Sequence, residues 1–150
     1  MDFGKHKDFK MINSRCSCFN LRKVTRVVTQ YFDRALEPAG IRATQYTLLI
    51  SMAAYNAYTL TEMAHNLLMD RTTLTRNLRP LEKMGLIDIC EAKDKRSKAY
   101  LLTNKGRDVI VQAVPLWEKA QVNVEMGLGL ERYNRLLTEL DATANVIVNF

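Results

Sequence analysis

Thr72, Thr73, Thr75, Arg76, Asn77, Arg79 and Lys83 crowd a short stretch in which Leu74, Leu78, Leu81 and Met84 recur at spacings of three and four. Such spacing describes the buried stripe of a helix, so the polar set must occupy the rest of its surface. Hydroxyl, amide and guanidinium groups on a rigid helix match the donors and acceptors that base edges present in the major groove of duplex DNA. Arginine pairs bidentately with guanine and asparagine with adenine, which makes Arg76 and Asn77 the candidate base readers. Arg79 and Lys83, further along, suit phosphate contact. A second cationic cluster, Lys93, Lys95, Arg96 and Lys98, follows soon after. Its density suits phosphates or a narrow minor groove, with Arg96 as the inserting side chain.

The elements that must position these groups are written in capping residues and periodicity. From Leu21, the residues Val24, Val28, Tyr31, Phe32, Ala35 and Leu36 describe an amphipathic helix that Glu37-Pro38-Ala39-Gly40 ends. A second helix is expected after Thr44, whose hydroxyl caps it, with Tyr46, Leu49, Ile50 and Ala53 inward and Asn56 closing it. Thr59-Leu60-Thr61-Glu62 fits a capping box for a third helix with Met63, Ala64 and Leu67 on its buried face. Only Leu68 and Met69 then separate it from Asp70, the cap of the polar helix, which Gly85 ends. Two short helices joined so tightly form a helix-turn-helix.

Leu86-Ile87-Asp88-Ile89-Cys90-Glu91 and Lys98-Ala99-Tyr100-Leu101-Leu102 alternate in part around a polar turn and predict a small hairpin, or wing. Thr103 caps a long helix through Val109, Ile110, Val114, Trp117 and Val124, with a kink expected at Pro115 and breaks at Gly127 and Gly129. A last helix presents Leu130, Tyr133, Leu136, Leu137, Leu140, Ala144 and Ile147. The expected fold is mainly α with a small β-hairpin wing (α+β). It is a winged helix-turn-helix domain with long terminal dimerisation helices. Residues 1–150 read as a single domain, with the winged lobe over about 44–102 and dimerisation helices over about 9–38 and 103–150. Two terminal apolar helices with nothing else to cover them predict a homodimer.

Composition narrows the function class. In 150 residues, 47% hydrophobic and 25% charged, no apolar run is long enough to cross a bilayer, so no membrane partner is expected. Met1-Asp2-Phe3-Gly4-Lys5-His6-Lys7-Asp8 leads into no apolar run and cleavage site, which predicts a cytoplasmic protein. The net charge of +6 favours a polyanionic partner. The three cysteines cannot all pair within the chain and are expected to be reduced. Cys16 and Cys18, at the expected start of the first helix near Arg15 and Arg22, sit where positive potential favours a thiolate, which makes them candidate redox sensors. Cys90, on an expected strand, reads as a small packed hydrophobe. His6 and His65 lie far apart without paired ligand spacing, so no metal site is expected. No nucleophile and base pairing or phosphate-cradling loop appears, so neither an enzyme nor a cofactor is expected. The alternative to DNA binding is a winged-helix protein-interaction module.

Thr59-Leu60-Thr61-Glu62-Met63-Ala64, Arg71-Thr72-Thr73-Leu74-Thr75-Arg76 and Leu81-Glu82-Lys83-Met84-Gly85-Leu86-Ile87 together resemble the multiple-antibiotic-resistance regulator (MarR) family. So do Asp94-Lys95-Arg96 and Leu102-Thr103-Asn104-Lys105-Gly106, and the helix order is similar from about residue 19 onward. The resemblance implies a triangular homodimer whose first and last two helices interlock, with two winged lobes over successive major grooves of a pseudo-palindrome. It also implies that Asp94 orients the wing and that Arg96 enters the minor groove. A small-molecule effector would bind between the dimer helices and the winged lobe, where Trp117, Tyr31, Tyr46 and Met52 are candidate lining residues. Two departures stand out: Leu68 occupies a turn position that often holds Gly, and Pro80 lies inside the polar helix, where it predicts a bend. Cys18 aligns with the sensing cysteine of the family's organic-hydroperoxide sensors, but the assisting tyrosines are replaced by Arg22, Phe32 and Ala43.

Overall fold

The computed structural model describes residues 9–54, 58–91 and 98–150. In chain order these form α1 (Phe9–Arg15), α2 (Ser17–Leu36), a 3-10 turn (Glu37–Ala39), α3 (Ala43–Ala53), β1 (Tyr58–Thr59) and α4 (Leu60–Asn66). They continue with α5 (Arg71–Lys83), β2 (Ile87–Glu91), β3 (Lys98–Leu102), α6 (Asn104–Leu128) and α7 (Leu130–Val148).

A short α1 precedes the expected first helix, so the two N-terminal cysteines lie at a junction between helices. Cys16 is extended there, and its Sγ accepts from the Phe19 N–H at 3.4 Å, serving as the cap of α2. At the other end, Gly40 takes φ 70, a left-handed conformation that only glycine reaches without steric cost.

α3 departs from expectation. It starts at Ala43, and Thr44 is exposed inside its first turn rather than capping it. The cap comes from α2: Asp33 Oδ1 accepts from the Ala43 N–H at 2.8 Å, while Gln45 Oε1 accepts from the Arg42 N–H at 2.8 Å. A carboxylate here also complements the helix dipole. The buried residues are Tyr46, Leu48, Leu49 and Met52, whereas Ile50 and Ala53 face outward. The inward stripe is therefore rotated from the expected one. The helix ends at Ala53, and the expected closing residue Asn56 lies outside the described residues.

The expected hairpin is two strands of a three-stranded antiparallel sheet with order β1-β3-β2. The wing register runs from Ile87 opposite Leu102 to Glu91 opposite Lys98. The unforeseen β1 places Tyr58 opposite Tyr100 and Thr59 opposite Ala99. One hydrophobic cluster joins α2 through Leu36, α3 through Leu49 and Met52, α4 through Met63, and α5 through Leu74 and Leu78. The cluster continues through Leu86 and Ile87 to Ala113 of α6. α6 runs unbroken across Pro115 and Gly127 to Leu128, and Gly129 at φ 77 separates it from α7. No residue of α7 is buried: Leu130, Leu136, Leu137, Leu140 and Ile147 all face solvent, as do Val24 and Val27 of α2. No helix among the described residues is long and apolar enough to cross a membrane.

Candidate nucleic-acid interface

α4 is nucleated by the expected capping box. The Glu62 N–H donates to Thr59 Oγ1 at 3.2 Å, while Glu62 Oε2 accepts from the Thr59 N–H at 2.9 Å and from its hydroxyl at 2.6 Å. Those two donors, the hydroxyl first, hold the Glu62 carboxyl below its ordinary pKa. The helix closes with the Leu68 N–H on His65 O at 3.2 Å and the Met69 N–H on Ala64 O at 2.9 Å. That paired pattern requires a left-handed residue between cap and exit. Leu68 supplies it at φ 49, so the turn keeps a glycine-like backbone although the residue is not glycine. The departure from Gly at Leu68, from which a different backbone would be expected, therefore leaves the backbone of the turn unchanged. A Cβ in this conformation costs about 1–2 kcal/mol, which the surrounding contacts must offset.

α5 starts on Asp70, whose Oδ1 accepts from the Thr73 N–H at 2.8 Å. Hydrogen bonds from the Thr73 hydroxyl and N–H lower the Asp70 pKa. The helix continues across Pro80 to Lys83 and closes with the Gly85 N–H on Glu82 O at 2.9 Å and the Leu86 N–H on Leu81 O at 3.0 Å. Gly85 occupies the left-handed position at φ 68. Both helices of the motif thus end by the same device.

Leu74, Leu78 and Leu81 are fully buried. At about 100° per residue, Thr72, Arg76, Arg79 and Lys83 then form the outermost line of α5, about 17 Å from end to end. All four are exposed. Thr73, Thr75 and Asn77 are half-buried on the flanks. Thr75 Oγ1 donates to Arg71 O at 2.7 Å, so it offers lone pairs rather than a free proton. Asn77 sits about 60° from the core direction, a less accessible position than Arg76. Lys98 is exposed at the start of β3, while Asp94, Lys95 and Arg96 lie outside the described residues.

Sequence reasoning gave Thr103 the cap of α6, which it is, but assigned no contact between this turn and the end of α5. Thr103 Oγ1 donates to Gly85 O at 2.8 Å and accepts from the Gly106 N–H at 3.0 Å, and Lys105 Nζ donates to Met84 O at 2.8 Å. The Thr103 N–H reaches Leu86 O at 3.1 Å. These residues belong to the Leu102-to-Gly106 motif, so the signal was visible without its role.

A cleft of about 300 Å³ opens between α2, α3 and α6, lined by Phe32, Tyr46, Trp117, Thr29, Thr47 and Gln121 among others. Tyr46 and Trp117 stack with ring centroids 6.0 Å apart and planes 23° from parallel. Burial, with a smaller contribution from Glu118, raises the Tyr46 pKa. Of the other expected lining residues, Met52 is buried core, and Tyr31 lines a separate groove and donates its hydroxyl to Ala120 O at 3.3 Å. Phe32 and Gln121 were not foreseen. Cys16, Cys18 and Cys90 are free thiols, Cys18 exposed and the other two half-buried. Among the described residues, no cluster of His, Cys, Asp or Glu could hold a metal ion.

Residues 41–98 match the MarR family. The organic hydroperoxide resistance transcriptional regulator of Bacillus subtilis is 30% identical over 100 residues, 66% of this chain and 68% of that one. Two further curated relatives match over 63% and 53% of their own lengths. Among solved structures, the Mycobacterium tuberculosis transcriptional regulator MosR in complex with DNA is 35% identical with a TM-score of 0.78, covering 89% of this chain and 98% of that one. The transcriptional repressor CouR of Rhodococcus jostii, bound to p-coumaroyl-CoA, is 25% identical with a TM-score of 0.77, covering 88% and 94%.

Proposed function

This chain belongs to the MarR family, and from that premise we propose that it binds a pseudo-palindromic operator as a homodimer and represses transcription until a signal releases it. The observation that carries the reading is the outer line of α5, an exposed hydroxyl followed by three exposed cations above a fully buried leucine stripe. Arg76 reads base edges with Thr72, Thr73, Thr75 and Asn77 around it. Arg79, Lys83, Lys95 and Lys98 hold phosphates, and Asp94 orients the wing for Arg96. The chain acts as one domain, its lobe over about 44–102 on DNA and its α1, α2, α6 and α7 in the dimer. The unburied leucines of α7 support that division, because apolar surface of this extent seeks a partner. The family supports a cytoplasmic regulator rather than an enzyme.

Release has two routes in this reading. The cleft lined by Trp117, Tyr46 and Phe32 takes a small aromatic effector, since it carries flat apolar walls and a few polar groups. Cys16 and Cys18 are the second route, favoured by the Sγ cap on α2, because oxidation or alkylation of Cys16 removes that cap.

The test is selection of bound fragments from genomic DNA, followed by affinity measurements on the selected site. Arg96→Ala should weaken binding across sequences, while Arg76→Ala should also relax preference at one position of each half-site. If neither variant changes affinity, the DNA reading fails and a protein-interaction module takes its place.

A further inference from the structure

α5 closes on its own neighbours, and the three residues that follow it, Met84 to Leu86, are in turn held by the start of α6. Met84 O, Gly85 O and Leu86 O receive the Lys105 ammonium, the Thr103 hydroxyl and the Thr103 N–H in succession. Carbonyls at and just past a helix end have no intrahelical partner and must be met by side chains, other backbone or water. Here each has a donor from one turn of one other helix, and Gly106 has no Cβ because the Leu86 carbonyl occupies that space. The charged donor at a helix C-terminus is also the favourable sign for the helix dipole. Thr103 links the two sides in a chain, accepting from the Gly106 N–H while donating to Gly85 O. α6 itself packs on α2, through the Tyr31 hydroxyl on Ala120 O, and on α3, through the Tyr46 and Trp117 stack. The angle of α5 is thereby tied to the helices that lie away from the DNA.

We propose that Thr103 and Lys105 are positioning residues that fix the recognition helix against α6 and so set the half-site spacing the dimer accepts, without touching DNA. The proposal rests on the DNA-binding reading above. The leucine stripe packs one face of α5 on the core, and the junction adds a second attachment just past its C-terminal end that limits rotation about that stripe. One inserted base pair rotates a half-site by about 35° and moves it about 3.4 Å, so a rigid pair of helices discriminates sharply and a pivoting pair tolerates the change.

The experiment measures affinity for the selected operator and for versions with one base pair added or removed between half-sites. Wild type, Lys105→Met, Thr103→Val, Lys105→Arg and Thr103→Ser are compared, with melting temperature recorded for each. Wild type should lose about tenfold or more on either change, and Lys105→Met and Thr103→Val less than about threefold. Lys105→Arg and Thr103→Ser keep the donors and should restore the wild-type ratio. Lys105 is exposed, so its Met variant should fold even where Thr103→Val does not. Unchanged spacing ratios in Lys105→Met, with only a lower melting temperature, would overturn the proposal and leave DNA binding intact. A wild type that binds no paired half-sites would overturn both.

Discussion

Replacing Gly106 by Ala adds one methyl group at the most constrained point of the junction. Its Cβ would overlap the Leu86 carbonyl oxygen, with the Leu86 carbonyl carbon at 3.1 Å and Leu102 Cδ2 at 3.3 Å. The carbonyl cannot swing away cheaply, because it accepts from the Thr103 N–H at 3.1 Å. Overpacking of this kind costs about 1–3 kcal/mol. Losing the Thr103 bond adds about 1 kcal/mol. The better helix propensity of Ala returns up to about 1 kcal/mol, leaving a net loss of about 1–4 kcal/mol. For a chain of this size that is a fall of roughly 2–16 °C in melting temperature. The assay is thermal unfolding by far-ultraviolet circular dichroism at one fixed protein concentration, since a dimer melts at a concentration-dependent temperature. Gly127→Ala is the matched control in the same helix: no atom lies within 4 Å of its added Cβ within the protomer. Its melting temperature should hold or rise. If Gly106→Ala melts within 2 °C of wild type, where ~2 °C corresponds to under about 1 kcal/mol, the steric reasoning is wrong.

Arg76→Ala should cost about 1–3 kcal/mol of operator affinity and flatten preference at the position it reads, as measured by competition against single-base variants. Operator affinity should fall linearly on a logarithmic salt scale, and Arg79→Ala and Lys83→Ala should each reduce the slope by about 1; unchanged slopes would remove them from the phosphate set. Glu62 and Asp70 have folded pKa values below their unfolded ones, so their stabilising contribution is complete above the ordinary carboxylate range and is lost as pH falls through the folded values. Melting from pH 7 to pH 3 should therefore fall more steeply for wild type than for Asp70→Asn, which keeps a capping oxygen without the titration. Trp117 is the single tryptophan and lines the aromatic cleft, so an aromatic effector that releases DNA should change its emission; release with no spectral change would move the site elsewhere.

The helix-turn-helix was legible because its determinants are local. Thr59 with Glu62, Asp70 with Thr73, and Gly85 after Met84 satisfy helix ends within a few residues, and the three-and-four spacing of leucines selects the buried face of α5 without outside help. The separation of Thr72, Arg76, Arg79 and Lys83 from the leucines follows from that spacing alone, and the paired wing was legible as two short runs flanking a polar turn, although neither strand's burial alternates.

What tertiary structure decided involves partners distant in the chain. The cap of α3 is Asp33 on α2, and no rule about nearby residues could choose it over the local Thr44. That choice accompanies a buried stripe on Leu48 and Met52 in place of Ile50 and Ala53. β1 is too short to carry a period and exists because β3 offers Tyr100 and Ala99 as partners. Leu68 adopts a left-handed backbone against its own preference because the closing bonds of α4 require it, an outcome that packing imposes and propensity opposes. The exposed line of α5 was thus set by local periodicity and capping. The junction that holds their helix, Thr103 and Lys105 on the carbonyls of Met84 and Gly85, exists only once folding brings α6 against the end of α5.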